Sequence, residues 1–405
     1  MDEIGRNYLT LALNIDRHFE GVVDAYYGPP ELKAEVEQGE PRALDALADD
    51  AGQLEAAIDA SDFDAQRKDY LTRQTRAMAA IIRNLSGDQL DFVEEVELYF
   101  DITPQMVDEA VFEGAHAEID RLLPGDGSLR ERVIAWEKSV ELEPDLVGPV
   151  FNLALQESRR RTQALFGLPP GEEVSLDLVE DKPWRAYNRY LGGHRSRIEL
   201  NTDVPARLYA TMSVVTHEAY PGHHTEHAIK EYRLYRQQGR AEHAIHVLGP
   251  EAVLAEGIAV SALGIIFSDE ELAAFLRDEL CPLGGLPDVD TERLIGMARA
   301  LRTLRTVVDN AALLLHRDGR SVDEVQKYIE GYYLSEEKHV AQAMQFIQIP
   351  LWRSYAFNYT VGEELLAPLL EGPDDVANFR RLLSEPFTPT RVRQWVEERR
   401  GDTKT

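Results

Sequence analysis

The sequence predicts a mainly helical protein that carries one small antiparallel β-sheet. Apolar residues recur every three or four positions over most of the chain, which is the spacing of a helix with one buried face. Alternation with a period of two is confined to one short stretch, residues 174–200. The chain has 405 residues, of which 44% are hydrophobic and 28% charged, so it can form one large domain or two merged ones.

The first part of the chain is predicted to be a helical lobe. Residues 4–23 have an apolar stripe that includes Tyr8, Leu11 and Ile15, and the glycine and prolines at 26–30 end that helix. Further helices are predicted at 43–60, 63–85, 87–99, 103–123, 128–142 and 145–166. We therefore assign residues 1–167 to a scaffold and cleft wall, and residues 168–405 to a metal-binding region.

The strand pattern begins after the Pro-Pro-Gly sequence at 169–171. Residues 174–179 and 195–200 alternate between polar and apolar, and Gly192-Gly193 is a hairpin signal between the second of these and the aromatic-rich residues 184–191. The pattern predicts a small antiparallel sheet just before the histidine-rich segment. His194 lies at the hairpin, either as a substrate contact or as a solvated turn residue.

Helical periodicity returns after this sheet and continues to the C-terminal region. The predicted helices cover 240–248, 251–267, 269–279, 291–316, 321–333, a segment from 335, 350–370, and two short helices within 375–399.

The densest cluster of metal-binding side chains lies at 214–229. Within this segment stand His217, Glu218, His223, His224 and His227, out of eleven histidines in the whole chain. The pattern is close to His-Glu-x-x-His, in which two histidines hold zinc and the Glu is the general base. Here Pro221-Gly222 is inserted before the second histidine.

A regular helix through this segment does not bring the histidines together. It would place His223 roughly 120° around the axis from His217 and about 9 Å along it, and His224 about 10.5 Å away. Both nitrogens must approach zinc to about 2.0–2.1 Å, so we expect a bulge or break at Pro221-Gly222. We prefer His223 as the second ligand and expect His224 to be a catalytic residue that points into the cleft and binds substrate or the developing oxyanion. The reverse assignment stays open, as does a simple turn with surface histidines.

Glu256 is the third candidate ligand. It lies in the apolar segment 252–267, and a buried Glu needs a partner, for which a metal ion is sufficient. The alternative is a partly exposed Glu near a helix start. Two histidines and one Glu form a zinc site that leaves a fourth position for water.

The sequences HEAYPGHH at 217–224 and AEGIA at 255–259 resemble the bacterial "domain of unknown function 885" family. Residues 198–202, with Asn201, and residues 354–362, with Tyr355 and Tyr359, extend the resemblance to about 190–370. The resemblance implies a zinc metallopeptidase with a glutamate third ligand, a gluzincin, and a fold similar to Taq-type metallocarboxypeptidases.

The C-terminal aromatic segment offers further candidates. Tyr355 and Tyr359 lie one helical turn apart, and a phenol can donate a hydrogen bond to an oxyanion. We expect Tyr359 to be catalytic, and Tyr355, Arg353, His194 and Asn201 to contact substrate. The alternatives are a core pair for the two tyrosines and a surface salt bridge for Arg353.

Taken together, these features predict a zinc-dependent hydrolase, a carboxypeptidase-like peptidase, that holds one Zn²⁺ per chain through His217, His223 and Glu256. Zinc polarises the scissile carbonyl and lowers the pKa of its water, and Glu218 takes the proton. The substrate would be a peptide or small amide. Other amide or ester hydrolysis, or a non-catalytic helical binding protein with a vestigial metal site, are the alternatives.

Charge and composition exclude some classes of partner. The formal net charge of −29 disfavours nucleic acid and anionic membrane surfaces. The acidic N-terminal segment lacks a signal-peptide pattern, and no apolar run approaches the roughly 20 residues of a membrane span. With Cys281 as its single cysteine, the chain forms no intrachain disulfide. We expect a cytoplasmic protein.

Overall fold

The computed structural model describes residues 1–88, 90–182, 184–350 and 352–402. Helices dominate and the strands form two small sheets. The predicted fold class, mainly helical with a small sheet beside the helix of His217, is confirmed, and this sheet contains one antiparallel and one parallel strand pair.

The N-terminal part is helical apart from one short strand. Its elements are α1 (Glu3–Asp16), β1 (Val23–Tyr26), α2 (Pro30–Gln38), α3 (Leu44–Ala60), α4 (Ala65–Leu85), α5 (Phe92–Phe100), α6 (Glu109–Leu122), α7 (Leu129–Ser139) and α8 (Pro144–Phe166). The helix predicted at 4–23 ends earlier because 23–26 pairs as a strand. The helix predicted from 103 begins later, where the Asp108 side chain caps α6 by accepting from the Ala110 N–H.

The sheet beside the histidine segment has three strands, β2 (Glu173–Val179), β3 (Ala186–Tyr190) and β4 (Arg195–Asn201), in the order β2-β4-β3. The predicted hairpin joins β3 and β4 antiparallel through Gly192 and Gly193, which both have positive φ. β2 pairs parallel with β4, because the chain crosses to the far edge before it returns through the centre. β3 therefore forms an edge of this sheet.

The remaining elements begin with α9 (Leu208–Glu218) and α10 (His223–Lys230), followed by a π-helical turn at Glu231–Gln237. The helix predicted at 240–248 is wrong: Ala241–Ala244 is a 3₁₀ turn and Ile245–Val247 is strand β5, which pairs with β1. Then follow α11 (Pro250–Ile266), α12 (Asp269–Phe275), α13 (Cys281–Leu283), α14 (Thr291–Thr303), α15 (Val307–His316), α16 (Val322–Tyr332), α17 (Glu337–Phe346), α18 (Phe357–Leu370), α19 (Asp375–Leu382) and α20 (Pro389–Asp402).

Helix α11 lies between two hydrophobic clusters. Val253 packs in a cluster built from α1–α7 and from helices α14–α17, whereas Leu254 and Ile258 pack in a second cluster with α8, α9 and the last helices. Each cluster contains residues from both sides of the predicted boundary at 167/168, and the domain division stays a prediction. The helix that carries Glu256 is thus fixed on two sides.

In the described part of the chain, no single helix has both the length and the apolar character to cross a bilayer. One pair, Pro250–Ile266 with Asp269–Leu283, meets those criteria jointly by length and composition, and it is bent by 79°.

Candidate metal centre

The His-Glu helix breaks at the Pro-Gly insertion, as the spacing predicts. α9 ends at Glu218, Ala219 leaves the helical region with φ −121° and ψ −85°, and the Tyr220–Pro221 peptide is cis. Gly222 passes so close to the end of α9 that a Cβ there would lie 2.0 Å from the carbonyl oxygen of His217. Only glycine fits at this position, and α10 restarts at His223.

The break brings His217 and His223 to the same carboxylate. The Oε2 atom of Glu256 lies 3.3 Å from Nε2 of His217 and 3.7 Å from Nε2 of His223. The two imidazole rings are 4.7 Å apart and nearly perpendicular, at 87°. One ligand atom from each of these three residues, here called the triad, lies within 4.8 Å of the other two.

The donor atoms of the triad fit a divalent metal ion. Glu256 is 4% exposed, and neither its Oε2 atom nor Nδ1 of His223 has a hydrogen-bond partner among the described residues. A buried polar atom without a partner costs about 1–3 kcal/mol, and a cation would satisfy the carboxylate oxygen. Two imidazole nitrogens and one carboxylate oxygen are typical zinc ligands. The triad side chains of His217 and His223 are 20% and 14% exposed, so solvent reaches the site.

The carboxylate of Glu256 is positioned by a tyrosine that lies just before α18. The Tyr355 hydroxyl donates to the Oε1 atom of Glu256 at 2.8 Å, which leaves Oε2 facing the histidines. This contact is possible because Gly257 and Gly362 bring the backbones of α11 and α18 together. Tyr355, predicted to contact substrate, is therefore placed as a partner of Glu256.

The triad and Glu218 influence each other's protonation. Burial raises the pKa of Glu218 to about 7; His217 opposes this shift, and the Glu256 carboxylate reinforces it. Burial lowers the pKa of His223 to about 4, against the attraction of Glu256. Burial also opposes charge on His217, but its contact with Glu256 and the Glu218 carboxylate raise the pKa of His217 overall. A general base with a pKa near 7 suits work at neutral pH.

Tyr359 lies on the solvent-facing side of the triad. It is 40% exposed, its ring is nearly parallel to the His217 ring at 6.2 Å, and Glu256 and Glu218 both lie within its electrostatic range. The role of Tyr359 as an oxyanion donor stays a prediction.

Two residues near the triad were missed from the sequence. Asn188 on β3 donates from Nδ2 to the Glu218 carbonyl oxygen at 2.6 Å. Asp24, at a β-bulge of β1, accepts from the Tyr187 hydroxyl and lies within electrostatic range of Glu256. Both depend on strand placement, and no local pattern in the sequence marks either residue.

His224 does not face the triad, so the expectation that it points into the cleft is wrong. Its ring is fully buried, with Nδ1 2.8 Å from Ser196 Oγ and Nε2 3.1 Å from Glu172 Oε2. Tyr220 donates to the same Glu172 oxygen at 2.6 Å. This network ties the turn after α9 to β4, which is a structural task.

Three further candidates are also engaged away from the triad. Arg353 donates to both carboxylate oxygens of Glu95. Asn201 is 2% exposed and donates to the carbonyl oxygens of Lys182 and Trp184, at 2.8 and 3.1 Å. His194 sits in the hairpin turn, where its Nδ1 atom is 3.2 Å from the Pro170 carbonyl oxygen. For Arg353 and Asn201 these contacts use the group that was expected to bind substrate, whereas Nε2 of His194 has no hydrogen-bond partner among the described residues.

No family model matches this chain, and no curated protein matches it. Among solved structures, it is similar to "The crystal structure of the putative lipoprotein from Colwellia psychrerythraea", with a TM-score of 0.52 and 14% sequence identity. That match covers 87% of this chain and 66% of the other, so this chain spans about two thirds of the length of its structural relative. At this identity the likeness concerns the fold alone.

Proposed function

We propose that this protein is a zinc-dependent peptidase of the "domain of unknown function 885" type, with one zinc ion per chain. The observation that carries the proposal is the convergence of His217, His223 and Glu256, whose ligand atoms lie within 4.8 Å of one another, directly beside Glu218. These three residues would hold the metal. When bound, a zinc ion supplies Lewis-acid polarisation of a carbonyl and lowers the pKa of water toward about 7.

Glu218 is the group that moves the proton. It follows His217 directly, and burial raises its pKa to about 7, so at neutral pH it can accept a proton from the attacking water and pass it to the leaving amine. The hydrogen bond from Asn188 to the Glu218 backbone, at 2.6 Å, holds the end of α9 against β3. The base is thereby oriented by the sheet.

Tyr359 supplies a hydrogen-bond donor on the solvent-facing side of the triad. A phenol there can stabilise the oxyanion that forms when water attacks the carbonyl, an effect worth about 2.7–4 kcal/mol for one placed donor. Tyr355 differs in role, because its hydroxyl is used to orient Glu256.

A peptide is favoured over a small ester by the edge strand. β3 is paired on one side only, with β4, and it carries Asn188 beside Glu218. An extended peptide can add to such an edge through backbone hydrogen bonds, which a small ester cannot make.

The direct test compares zinc-loaded wild type with Glu218→Gln on a library of short peptides. Substitution with Gln keeps the shape of the side chain and removes the base, so we expect hydrolysis to fall by at least about 10²-fold while zinc content is unchanged. A chelator should abolish wild-type cleavage, and added zinc should restore it. Near-normal turnover by Glu218→Gln would contradict the mechanism. Cleavage of esters but of no peptide would favour the wider class of amide and ester hydrolases.

The cytoplasmic location stays part of this proposal. Fractionation of cells that express the native gene, with an antibody against the chain, would test it.

A further inference from the structure

Arg185 is a cation without a partner at the start of β3. Its backbone is fixed, because its carbonyl oxygen accepts from the Asn201 N–H at 2.9 Å. Its side chain is half-buried, and within the described residues its guanidinium makes no hydrogen bond or ion pair. Arginine side chains that are partly removed from water usually have a carboxylate or carbonyl partner.

The surroundings of Arg185 do not supply that partner. Glu137 is an acidic group within its electrostatic range, but the Oε1 atom of Glu137 already accepts from Arg207 at 3.1 Å and from the Tyr209 hydroxyl at 2.8 Å. Burial lowers the pKa of the Arg185 guanidinium, and the positive charges of Arg305 and Arg207 lower it further. Tyr209 and Glu137 have the opposite effect on this pKa. Arg207 pairs with Glu137 and with Glu141, which leaves Arg185 without a carboxylate partner among the described residues.

Arg305 is a second arginine without such a partner in the described part of the chain. It lies in the 3₁₀ turn Leu304–Thr306 between α14 and α15, is exposed, and makes no side-chain hydrogen bond or ion pair among the described residues. It is within electrostatic range of Arg185, and also of His217 and Tyr359. Two neighbouring guanidinium groups without a carboxylate partner among the described residues offer a place for an anion.

We propose that Arg185 and Arg305 form a subsite that binds a carboxylate of the substrate; this inference rests on the proposed peptidase function. Guanidinium groups bind carboxylates through paired, charge-assisted hydrogen bonds. A peptide along the β3 edge that passes Asn188 reaches Arg185 three residues away, about 10 Å at the rise of a strand. The carboxylate is either the C-terminus of a peptide or an acidic side chain near the cleaved bond.

The subsite can be tested by binding, without turnover. Zinc-loaded Glu218→Gln protein would be titrated with three fluorescein-labelled tetra-alanine peptides: one with a free C-terminal carboxylate, one amidated, and one amidated with a Glu replacing one Ala. Fluorescence anisotropy gives the Kd of each. The same titrations would be repeated with three double variants, in which Arg185→Gln, Arg305→Gln or Arg299→Gln is combined with Glu218→Gln. Arg299 is the control, because it is exposed and already paired with Asp269.

We expect the free-carboxylate peptide to bind at least about tenfold more tightly than its amide, as charge-assisted hydrogen bonds require. This ratio should fall to near one in Arg185→Gln and Arg305→Gln and persist in Arg299→Gln. Arg305 is exposed, so its substitution leaves the fold intact even if Arg185→Gln does not fold. Tight, arginine-dependent binding of the amidated Glu peptide would identify the carboxylate as a side chain.

Equal affinity for acid and amide, or a preference that survives both arginine substitutions, would overturn the subsite. If the wild type hydrolyses peptides but does not prefer the free carboxylate over the amide, the subsite is contradicted and the proposed peptidase function is not. If binding depends on the two arginines but the wild type hydrolyses no peptide, the proposed peptidase function is contradicted and the subsite is not. Failure of all three peptides to bind contradicts both.

Discussion

Gly257 on α11 and Gly362 on α18 are in backbone contact. A Cβ on Gly257 would lie 2.6 Å from the Gly362 carbonyl oxygen, and a Cβ on Gly362 would lie 2.4 Å from the Val253 carbonyl oxygen. Glu256 is adjacent to the first glycine, and Tyr359 lies about one turn before the second. The contact therefore sets the distance between the ligand carboxylate and the tyrosines.

Gly362→Ala should force the two helices apart. We expect a loss of about 1–3 kcal/mol in the free energy of unfolding, as for other overpacked cores, together with weaker zinc binding. Urea unfolding and zinc titration measure the two effects. The matched control is Gly264→Ala in α11, where a Cβ would meet nothing within 4 Å. That change should be neutral or stabilising by about 0.5–1 kcal/mol, and a Gly362→Ala protein that behaves like this control would refute the packing argument.

Tyr355→Phe should weaken the metal site without removing the chemistry. It deletes the 2.8 Å hydrogen bond to Glu256, and the loss of such an outer partner typically lowers metal affinity by about 10–100-fold. Competition with a fluorescent zinc chelator gives the affinity, and kcat at saturating zinc should stay close to the wild-type value. Unchanged zinc affinity would show that Tyr355 does not orient the ligand.

Tyr359→Phe should have the opposite pattern of effects on zinc affinity and kcat. Tyr359 is 40% exposed, lies beside His217 and is not one of the three ligands, so we expect kcat to fall by about 10²–10³-fold while zinc affinity stays the same. Steady-state kinetics on the best peptide, beside the Tyr355→Phe protein as the control, separates the two roles. A normal kcat would show that Tyr359 is a packed aromatic residue without a catalytic role.

Asp309 should make stability fall as pH rises. It is buried in α15, accepts a hydrogen bond from Thr360, and burial raises its pKa from 3.8 to about 8. Between these values the unfolded chain releases the proton and the folded chain keeps it, so the group's unfavourable contribution grows as pH rises from 4 to 8 and is complete above 8. Asp309→Asn cannot ionise and should become progressively more stable relative to wild type over that range.

Urea unfolding of both proteins at several pH values tests this sign. At pH below 4 the two should differ by a constant amount, since neither carries a charge at position 309 in either state. Stability curves that run parallel up to pH 9 would show that the Asp309 pKa is not raised.

The break in the histidine segment and the buried carboxylate of Glu256 could be predicted from the sequence, because local chemistry fixes them. Pro221 and Gly222 are incompatible with a continuous helix, and Glu256 stands alone among apolar residues, so the break and the buried carboxylate follow directly. The helices before and after them also carry clear periodicity.

Residues whose partners are distant could not be predicted. Arg353 forms an ion pair with Glu95. Residues Ile245–Val247, which were predicted to be helical, form a strand because they pair with β1 near the N-terminus. His224 follows a ligand candidate directly, yet the turn rotates it toward Glu172. In each case tertiary contacts override the local pattern, and one sequence contains no signal for them.

The central claim is that His217, His223 and Glu256 hold one zinc ion, and the metal content of purified variants tests it most directly. Wild type and the alanine variants at 217, 223, 224 and 256 would be dialysed against zinc and analysed by elemental mass spectrometry, with circular dichroism to check folding. We predict one zinc per chain in wild type and in folded His224→Ala, and near zero in the other three. Full zinc content in any of those three, or loss of zinc in folded His224→Ala, would contradict the account.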